Sequence, residues 1–461
     1  MFELQNRNHA IVIGASMGGL LAARALADRF ARVTMIERDP LSAAPQQRKG
    51  VPQGEHAHGL LAKGREIIED FFPGITAELM ARGALRGEVS GDVLWHCAGD
   101  FLAEARGGLI GIVLSRPLLE TQVRARVVAL SNVTLAAECD VVGLLASPDR
   151  ARVTGVRLQR AAGAVEEMPA DLVVDACGGG SKSPSWLATL GYAAPEEEMV
   201  RVGLGYTTRL YRRRPSDLGG RLGVAIVTQP PNPRMGVALA LEGDRWIVST
   251  GGYFGQHAPA DEAGFLDFLA AMPNRAIHDL VRAAEPVSDF KTFKFAGSTR
   301  RRYEKLRRFP EGYLVFGDAI SRFNPVFGQG MTSAALQAVA LRDGLGAGGA
   351  PLWQQFFRRT ARIVDVPWNI AVGADLGFAQ TEGPRGPMVK FLNWYIAKLH
   401  RAAHRDAAVA LAFHRVANLV APPLSILAPR IAWRVLRGNL ARSAGGRMKT
   451  APLTGPQLGD D

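Results

Sequence analysis

The chain has 461 residues, 47% hydrophobic and 21% charged, enough apolar material for about two or three packed units and too evenly mixed for a disordered or collagen-like polymer. No run reaches the ~18 uninterrupted apolar residues of a membrane-spanning helix, and the N-terminus lacks a basic segment followed by an apolar run and cleavage site. Three scattered cysteines, Cys97, Cys139 and Cys177, form neither a disulfide framework nor a zinc cluster, so a reducing cytoplasm is the expected setting.

Ala10–Ile13 is a short apolar run, Gly14-Ala-Ser-Met-Gly-Gly19 a turn of mostly small residues, and Leu20, Leu21, Ala23, Leu26 and Ala27 recur at helical spacing. The chain therefore opens as strand, turn and helix. Val33–Ile36 makes a second buried strand ending at Glu37, which completes a unit of the dinucleotide-binding type. Such a turn lets the backbone approach a pyrophosphate that rests on the positive end of the next helix. Gly14, Gly18 and Gly19 serve it, with Ser16 in the place of the usual middle glycine. Glu37 stands eighteen residues beyond Gly19, where a carboxylate accepts both hydroxyls of an adenosine ribose and disfavours a 2′-phosphate, which argues against NADPH as the bound dinucleotide. Arg38 joins the expected cofactor contacts.

Two stretches follow, Arg48-Lys-Gly-Val-Pro-Gln-Gly-Glu-His-Ala-His58 and Ser115-Arg-Pro-Leu-Leu-Glu120. His56 and His58 lack the third and fourth ligand a metal requires, so loop packing or cofactor contact is expected of them. The strand Asp171–Val174 leads into Asp175-Ala-Cys-Gly-Gly-Gly-Ser-Lys-Ser-Pro-Ser-Trp186. No base neighbours Cys177 there, which reads as a small buried residue in a tight turn rather than a nucleophile or covalent attachment site.

From Glu196 to Phe295 the chain is strand-rich, as in Arg201–Tyr211, Val237–Leu241 and Arg245–Thr250, and implies a separate sheet. Tyr206, Trp246, Tyr253, Phe254, Phe295, Phe323 and Phe327 are candidates for an apolar pocket, or for core. Tyr313–Phe316 returns to a buried strand, followed by Gly317-Asp318, the loop Asn324-Pro-Val-Phe-Gly-Gln-Gly330 and a helix opening at Met331. From about Gly346 onward, helical patterns broken by prolines dominate. The net charge of +12 is concentrated here, since residues 385–449 hold twelve Lys or Arg and one acid, Asp406. Val409–Phe413 and Leu419–Leu427 mix with Arg415, Arg430, Arg434 and Arg437, a combination that suits an anionic membrane surface or a helical cap with a solvated basic face. No basic stripe with interleaved aromatics appears, so nucleic acid is not an expected partner.

The stretch from Arg300 through Tyr313-Leu-Val-Phe-Gly-Asp318 to Thr332 resembles the flavoprotein monooxygenases of the para-hydroxybenzoate hydroxylase fold. The resemblance implies that Gly317 and Asp318 hold the ribityl chain and pyrophosphate of FAD, and that the loop with Pro325, Gly328 and Gly330 lies along the isoalloxazine ring. The helix at Met331 would point its amides at the flavin N1 and C2 carbonyl, where charge gathers on reduction. The stretches at 48–58 and 115–120 are similar to those of bacterial polyether epoxidases of the lasalocid type and, more distantly, squalene epoxidases. That implies Arg48 and Arg116 among the cofactor contacts, Arg116 as a fixed planar cation. The expected fold is α/β: a Rossmann-like FAD-binding domain over 1–195 with a return segment over 296–345, an inserted β-sheet substrate domain over 196–295, and a basic C-terminal helical region over 346–461.

The resemblance further implies an FAD-dependent monooxygenase that inserts one oxygen atom of O2 into an apolar small molecule, with no catalytic side chain assigned because the flavin carries the chemistry. Epoxidation of an alkene, a terpenoid or polyketide, through a flavin C4a-hydroperoxide is favoured, because ring hydroxylation calls for a base and no His, Asp or Glu stands between Ala319 and Met331. An aromatic hydroxylase and an isoprenoid double-bond reductase are the alternatives on the same fold. A halogenase is disfavoured, because the Trp-x-Trp-x-Ile-Pro signature is missing. Relatives reduced directly by NADPH carry an Asp and an Arg where this chain has Cys177 and Pro184. A separate flavin reductase is therefore the expected electron source, with direct NAD(P)H use as the alternative. No metal is expected, and peripheral membrane contact is expected of the C-terminal region alone.

Overall fold

The computed structural model describes residues 7–160, 163–346 and 350–444, the last four by their backbone only. At its centre lies a five-stranded parallel sheet in the order Tyr313–Val315, Leu172–Asp175, His9–Ile13, Arg32–Ile36 and Val133–Ala136. Parallel strands covered on both faces read as unbroken apolar runs, and Ala10, Ile11, Val12, Val173 and Val174 are fully buried. The helices Met17–Ala27, Arg116–Val128 and Gly330–Gly344 supply much of that cover. The first strand is joined to its helix by a turn in which Gly14 has φ +97°, a conformation that a side chain makes costly. A three-stranded antiparallel sheet, Cys139–Ala146, Val153–Arg160 and Val165–Pro169, lies beside this unit.

The largest sheet has eight strands, in the order Ser321–Arg322, Lys291–Arg301, Glu197–Arg212, Arg245–Gly252, Arg234–Leu241, Gly223–Ile226, Val93–Cys97 and Asp100–Phe101. It draws on strands from both sides of the 196–295 span. Val93–Cys97 runs parallel to Gly223–Ile226 and covers what would otherwise be an open edge.

Side chains alternate across this sheet. On one face Ala238, Ala240, Trp246 and Val248 pack with Phe265, Leu269 and Ile277 of the helices Glu262–Ala270 and Ala276–Ala283. On the other, Tyr206, Val237, Phe293 and Phe295 face an internal cavity.

The C-terminal region is helical, as the sequence implies, with helices Leu352–Asp375, Pro387–Ala403, Ala407–Ala417 and Pro429–Ala444. Prolines interrupt it less than expected. Pro387 opens a helix, but Pro367 sits buried inside the 24-residue helix Leu352–Asp375, whose packing along its length carries the lost hydrogen bond.

Candidate functional site

A cavity of about 600 Å³ separates the parallel sheet from the inner face of the large sheet. Gly14, Ser16, Gly18, Glu37, Arg38, Arg48, Arg116, Gly317, Asp318, Pro325, Gly328, Gly330 and Met331 all line it. Among the sequence candidates Gly19 is the exception. A Cβ there would lie 1.8 Å from the Gly14 carbonyl oxygen, so its hydrogen side chain lets the helix pack on the turn.

The cavity's charged end is a buried network. Glu37 accepts from the Ala15 amide at 2.8 Å and the Asp39 amide at 3.1 Å, and pairs with Arg48 Nη1 at 3.1 Å. A carboxylate offers about four lone-pair sites, so these contacts leave room for one ribose hydroxyl rather than two unless Arg48 moves. Arg48 Nε donates to Glu120 Oε1 at 2.8 Å. Glu120 Oε2 accepts from Ser16 Oγ at 3.1 Å and Arg116 Nη2 at 3.2 Å. Burial pushes the Glu120 carboxyl up, but the Arg116 and Arg48 guanidiniums outweigh it and hold it below the usual range. Glu37, Asp39 and Glu120 thus face Arg48, Arg116 and Arg124, three charges of each sign.

Two donors of this network have no protein acceptor: Arg48 Nη2 and Arg116 Nε are buried without a hydrogen-bond partner. Both side chains line the cavity, as does the start of the helix Met17–Ala27, whose N-cap Ser16 makes no side-chain cap. Orphan guanidinium N–H groups beside uncapped helix amides suit a phosphate. The residues present therefore fit a dinucleotide.

Farther along, the Asp318 carboxylate opens onto the cavity. Enclosure pushes it up, while Arg322 and Arg116 draw it down. Arg322 lies over the Phe295 ring at 5.0 Å. The loop before the helix Gly330–Gly344 is anchored from behind. Asn324 accepts from the Val326 amide at 3.2 Å, and its Nδ2 donates to Tyr253 Oη at 2.8 Å and to Asp375 Oδ1 at 3.0 Å. Asp375 is fully buried, and burial pushes it up to about 7 against hydrogen bonds from Asn324 and Tyr253.

Of the seven aromatic candidates, Tyr206, Phe295, Phe323 and Phe327 line the cavity, joined by Phe293 and Trp95. The rest point elsewhere. Trp246 belongs to the core on the sheet's opposite face, and Tyr253 and Phe254 cluster behind the loop with Phe378. Helix Ala407–Ala417 packs behind the cavity lining, with the His414 ring meeting Trp95 at 5.3 Å.

His56 and His58 are separated by their roles. His56 Nδ1 bonds to Thr208 Oγ1 at 2.7 Å and its ring packs edge-on against Tyr206 at 4.8 Å, whereas His58 lines the cavity with Nδ1 on the His56 carbonyl at 2.9 Å. Burial pushes both down to about 4. Among the described residues no group of three or more His, Cys, Asp or Glu is placed to hold a metal ion. Cys177 is not packed in a core. Its side chain opens onto the cavity, while enclosure and the neighbouring Asp175 push the thiol pKa up.

Sequence reasoning missed Glu120 and Asp375. The Arg116–Glu120 spacing was a usable signal, because residues four apart on a helix are neighbours.

A family described as an FAD binding domain matches residues 7–348. Protein Rv3254 of Mycobacterium tuberculosis is 35% identical over 393 residues, 81% of each chain. Among solved structures, the flavin-dependent brominase Bmp2 aligns with a TM-score of 0.67 at 13% identity, over 95% of this chain and 100% of its own. The p-nitrophenol 4-monooxygenase PnpA from Pseudomonas putida aligns with a TM-score of 0.63 at 15% identity, over 89% and 98%. At such identities the likeness to these two is one of fold.

Proposed function

The chain belongs to the FAD binding domain family, and on that premise we propose that it is an FAD-dependent monooxygenase transferring one oxygen atom of O2 to an apolar alkene, an epoxidase of terpenoid or polyketide substrates. One observation carries the reading. A single cavity joins a charged arm with unsatisfied guanidinium donors to a chamber lined by Tyr206, Val237, Leu239, Phe293 and Phe295. The first end suits a dinucleotide; the second suits a hydrocarbon.

Arg48 and Arg116 would hold the pyrophosphate, Glu37 a ribose hydroxyl, Asp318 the ribityl chain, and the Pro325–Gly330 loop the ring. Bound there, FAD supplies the electrons and the centre that activates oxygen. The chain's own part is to position the acceptor and exclude water, which the apolar chamber does. Ring hydroxylation of a phenol would call for a base poised near the working pH. His58, in the cavity, is pushed down to about 4 by burial and by Arg116. Asp375 is walled off behind Asn324. An alkene needs no such base, and the likeness of residues 48–58 and 115–120 to polyether epoxidases favours the same acceptor.

The test is product analysis after reduced, FAD-loaded protein meets labelled dioxygen and a panel of polyenes, terpenoids and phenols. One labelled atom is expected in an epoxide or its diol. A product carrying only water-derived oxygen, or a saturated product formed without oxygen, would overturn the reading.

A further inference from the structure

Exposed large apolar side chains are sparse over most of this protein and concentrated in one place. Of fourteen among the described residues, eight fall between Met388 and Leu440. They include Trp394 at 58% exposure, Leu424 at 72%, Trp433 at 57% and Leu440 at 62%. Isolated exposed apolar residues need no explanation, but a cluster of this kind does.

Their spacing places them in rows. On the helix Pro387–Ala403, Met388, Phe391 and Trp394 follow at three-residue steps, and on Pro429–Ala444, Trp433, Leu436 and Leu440 keep to one side. The two helices run antiparallel. Asn439 Nδ2 donates to the Lys398 carbonyl at 2.9 Å, Gly438 abuts Ala402, and Arg434 pairs with Asp406 at 2.9 Å. Tyr395, Leu399, Ala402 and Val435 are buried in the shared core. Trp433, Leu436 and Leu440 stand on the side of their helix away from Val435, whereas Met388 and Phe391, whose ring stacks on Tyr395 at 6.2 Å, carry the apolar stripe beyond that core to the exposed start of their helix. The apolar run Val409–Phe413, which the sequence suggested for the same purpose, is partly spent inside: Val409 and Ala410 are fully buried.

Charge selects the partner. Lys390, Arg401, Arg430 and Arg437 are exposed on these helices, and none forms an ion pair among the described residues. The one acid, Asp406, is taken by Arg434. Arg437 lies over the Trp433 ring at 5.4 Å, a cation stacked on an aromatic side chain. A second copy docked through the same two helices would bring the same cations, with Asp406 already held by Arg434, and like charge opposes that pairing. Nucleic acid would neutralise the cations but leave Met388, Leu436 and Leu440 in water. A bilayer surface answers both halves, with hydrocarbon for the rows and lipid phosphates for the guanidiniums.

We propose that the exposed apolar side of Pro429–Ala444, together with the exposed first turns of Pro387–Ala403, docks the protein on an anionic lipid membrane. Among the described residues no helix is long and apolar enough to cross a membrane, so the contact is peripheral.

The test is sedimentation of the full chain with phosphatidylcholine vesicles, with and without phosphatidylglycerol. Binding is expected to the anionic vesicles, at least tenfold weaker to neutral ones, and to fall as salt rises. Arg430→Ala with Arg437→Ala should weaken it about fivefold per charge. Trp433→Ser with Leu436→Ser should weaken it at unchanged salt dependence; both pairs are exposed, and circular dichroism with flavin content reports their folding. Equal binding to neutral vesicles, or folded variants that bind as the parent does, would overturn the proposal. So would a dimer in light scattering that the same substitutions dissolve, or nucleic-acid binding in place of vesicle binding.

Discussion

Asn324 donates through Nδ2 to both carboxylate oxygens of Asp375, at 3.0 and 3.2 Å. The contact ties the loop before the helix Gly330–Gly344 to the end of the helix Leu352–Asp375. Burial pushes Asp375 up to about 7, against about 3.9 in an unfolded chain. Between those values the folded chain keeps a proton that the unfolded chain has released. The contribution to stability is therefore full below about pH 4, falls as pH rises, and levels off above about pH 7, with a slope near 1.4 kcal/mol per pH unit. Asp375→Asn removes this titration, so its melting temperature should depend less on pH across that window than the parent's. Parallel profiles would refute the assignment.

Glu37 and Asp318 sit in separate parts of one cavity, and each should matter to the cofactor on its own. Loss of a charge-assisted hydrogen bond costs ~1.5–3 kcal/mol, roughly tenfold or more in affinity. Glu37→Ala and Asp318→Ala should each purify depleted of FAD, as the ratio of flavin to protein absorbance reports. Full occupancy in both would dismiss the placement.

Glu120 tests the network rather than the cofactor. It meets Arg48, Arg116 and Arg124 at 2.8, 3.2 and 3.9 Å, so Glu120→Ala leaves three buried guanidiniums facing two carboxylates. Breaking a buried pair from one side costs about 3–5 kcal/mol. Denaturant unfolding of the flavin-free protein should show a loss of that order, and Glu120→Gln, which keeps the acceptor oxygen, a smaller one.

What the sequence disclosed and what it hid follow from distance along the chain. Glu37 and Asp318 were legible because each closes a local strand-and-turn pattern. Gly19 was legible as part of a motif, yet its role is contact with Gly14 rather than with the cavity. Asp375 was hidden because its partner Asn324 lies 51 positions away on another element, and no spacing rule links a loop to the end of a distant helix. Trp246 was left open between pocket and core for a subtler reason. Strand alternation fixes that Trp246 and Ile247 face opposite ways, but which face meets the cavity depends on where the helices Glu262–Ala270 and Ala276–Ala283 dock. The exposed rows on the C-terminal helices were half legible. Charge and apolar content were visible, but burial of Val409 and Ala410 was decided by the core they share with Leu399 and Val435.

Electron delivery gives the last prediction, and it turns on the thiol at 177. In relatives that NADPH reduces directly, the resemblance places a carboxylate at this position and a guanidinium at 184. Here the side chains are Cys177 and Pro184. A thiol could stand in for a carboxylate only as the thiolate, and enclosure with the nearby Asp175 opposes that by pushing Cys177 up. Proline has no charge to offer in place of arginine. The turn from Ala176 to Gly180 still borders the cavity, so the missing element is charge, not proximity. Electrons should then come mainly from a separate reductase or from free reduced flavin. In stopped-flow mixing, NADPH alone should bleach the flavin slowly, while protein loaded with chemically reduced FAD should still convert substrate under oxygen. Cys177→Asp with Pro184→Arg should quicken the NADPH reaction if charge is what the turn lacks. Rapid bleaching of the parent protein by NADPH would show that it needs neither group.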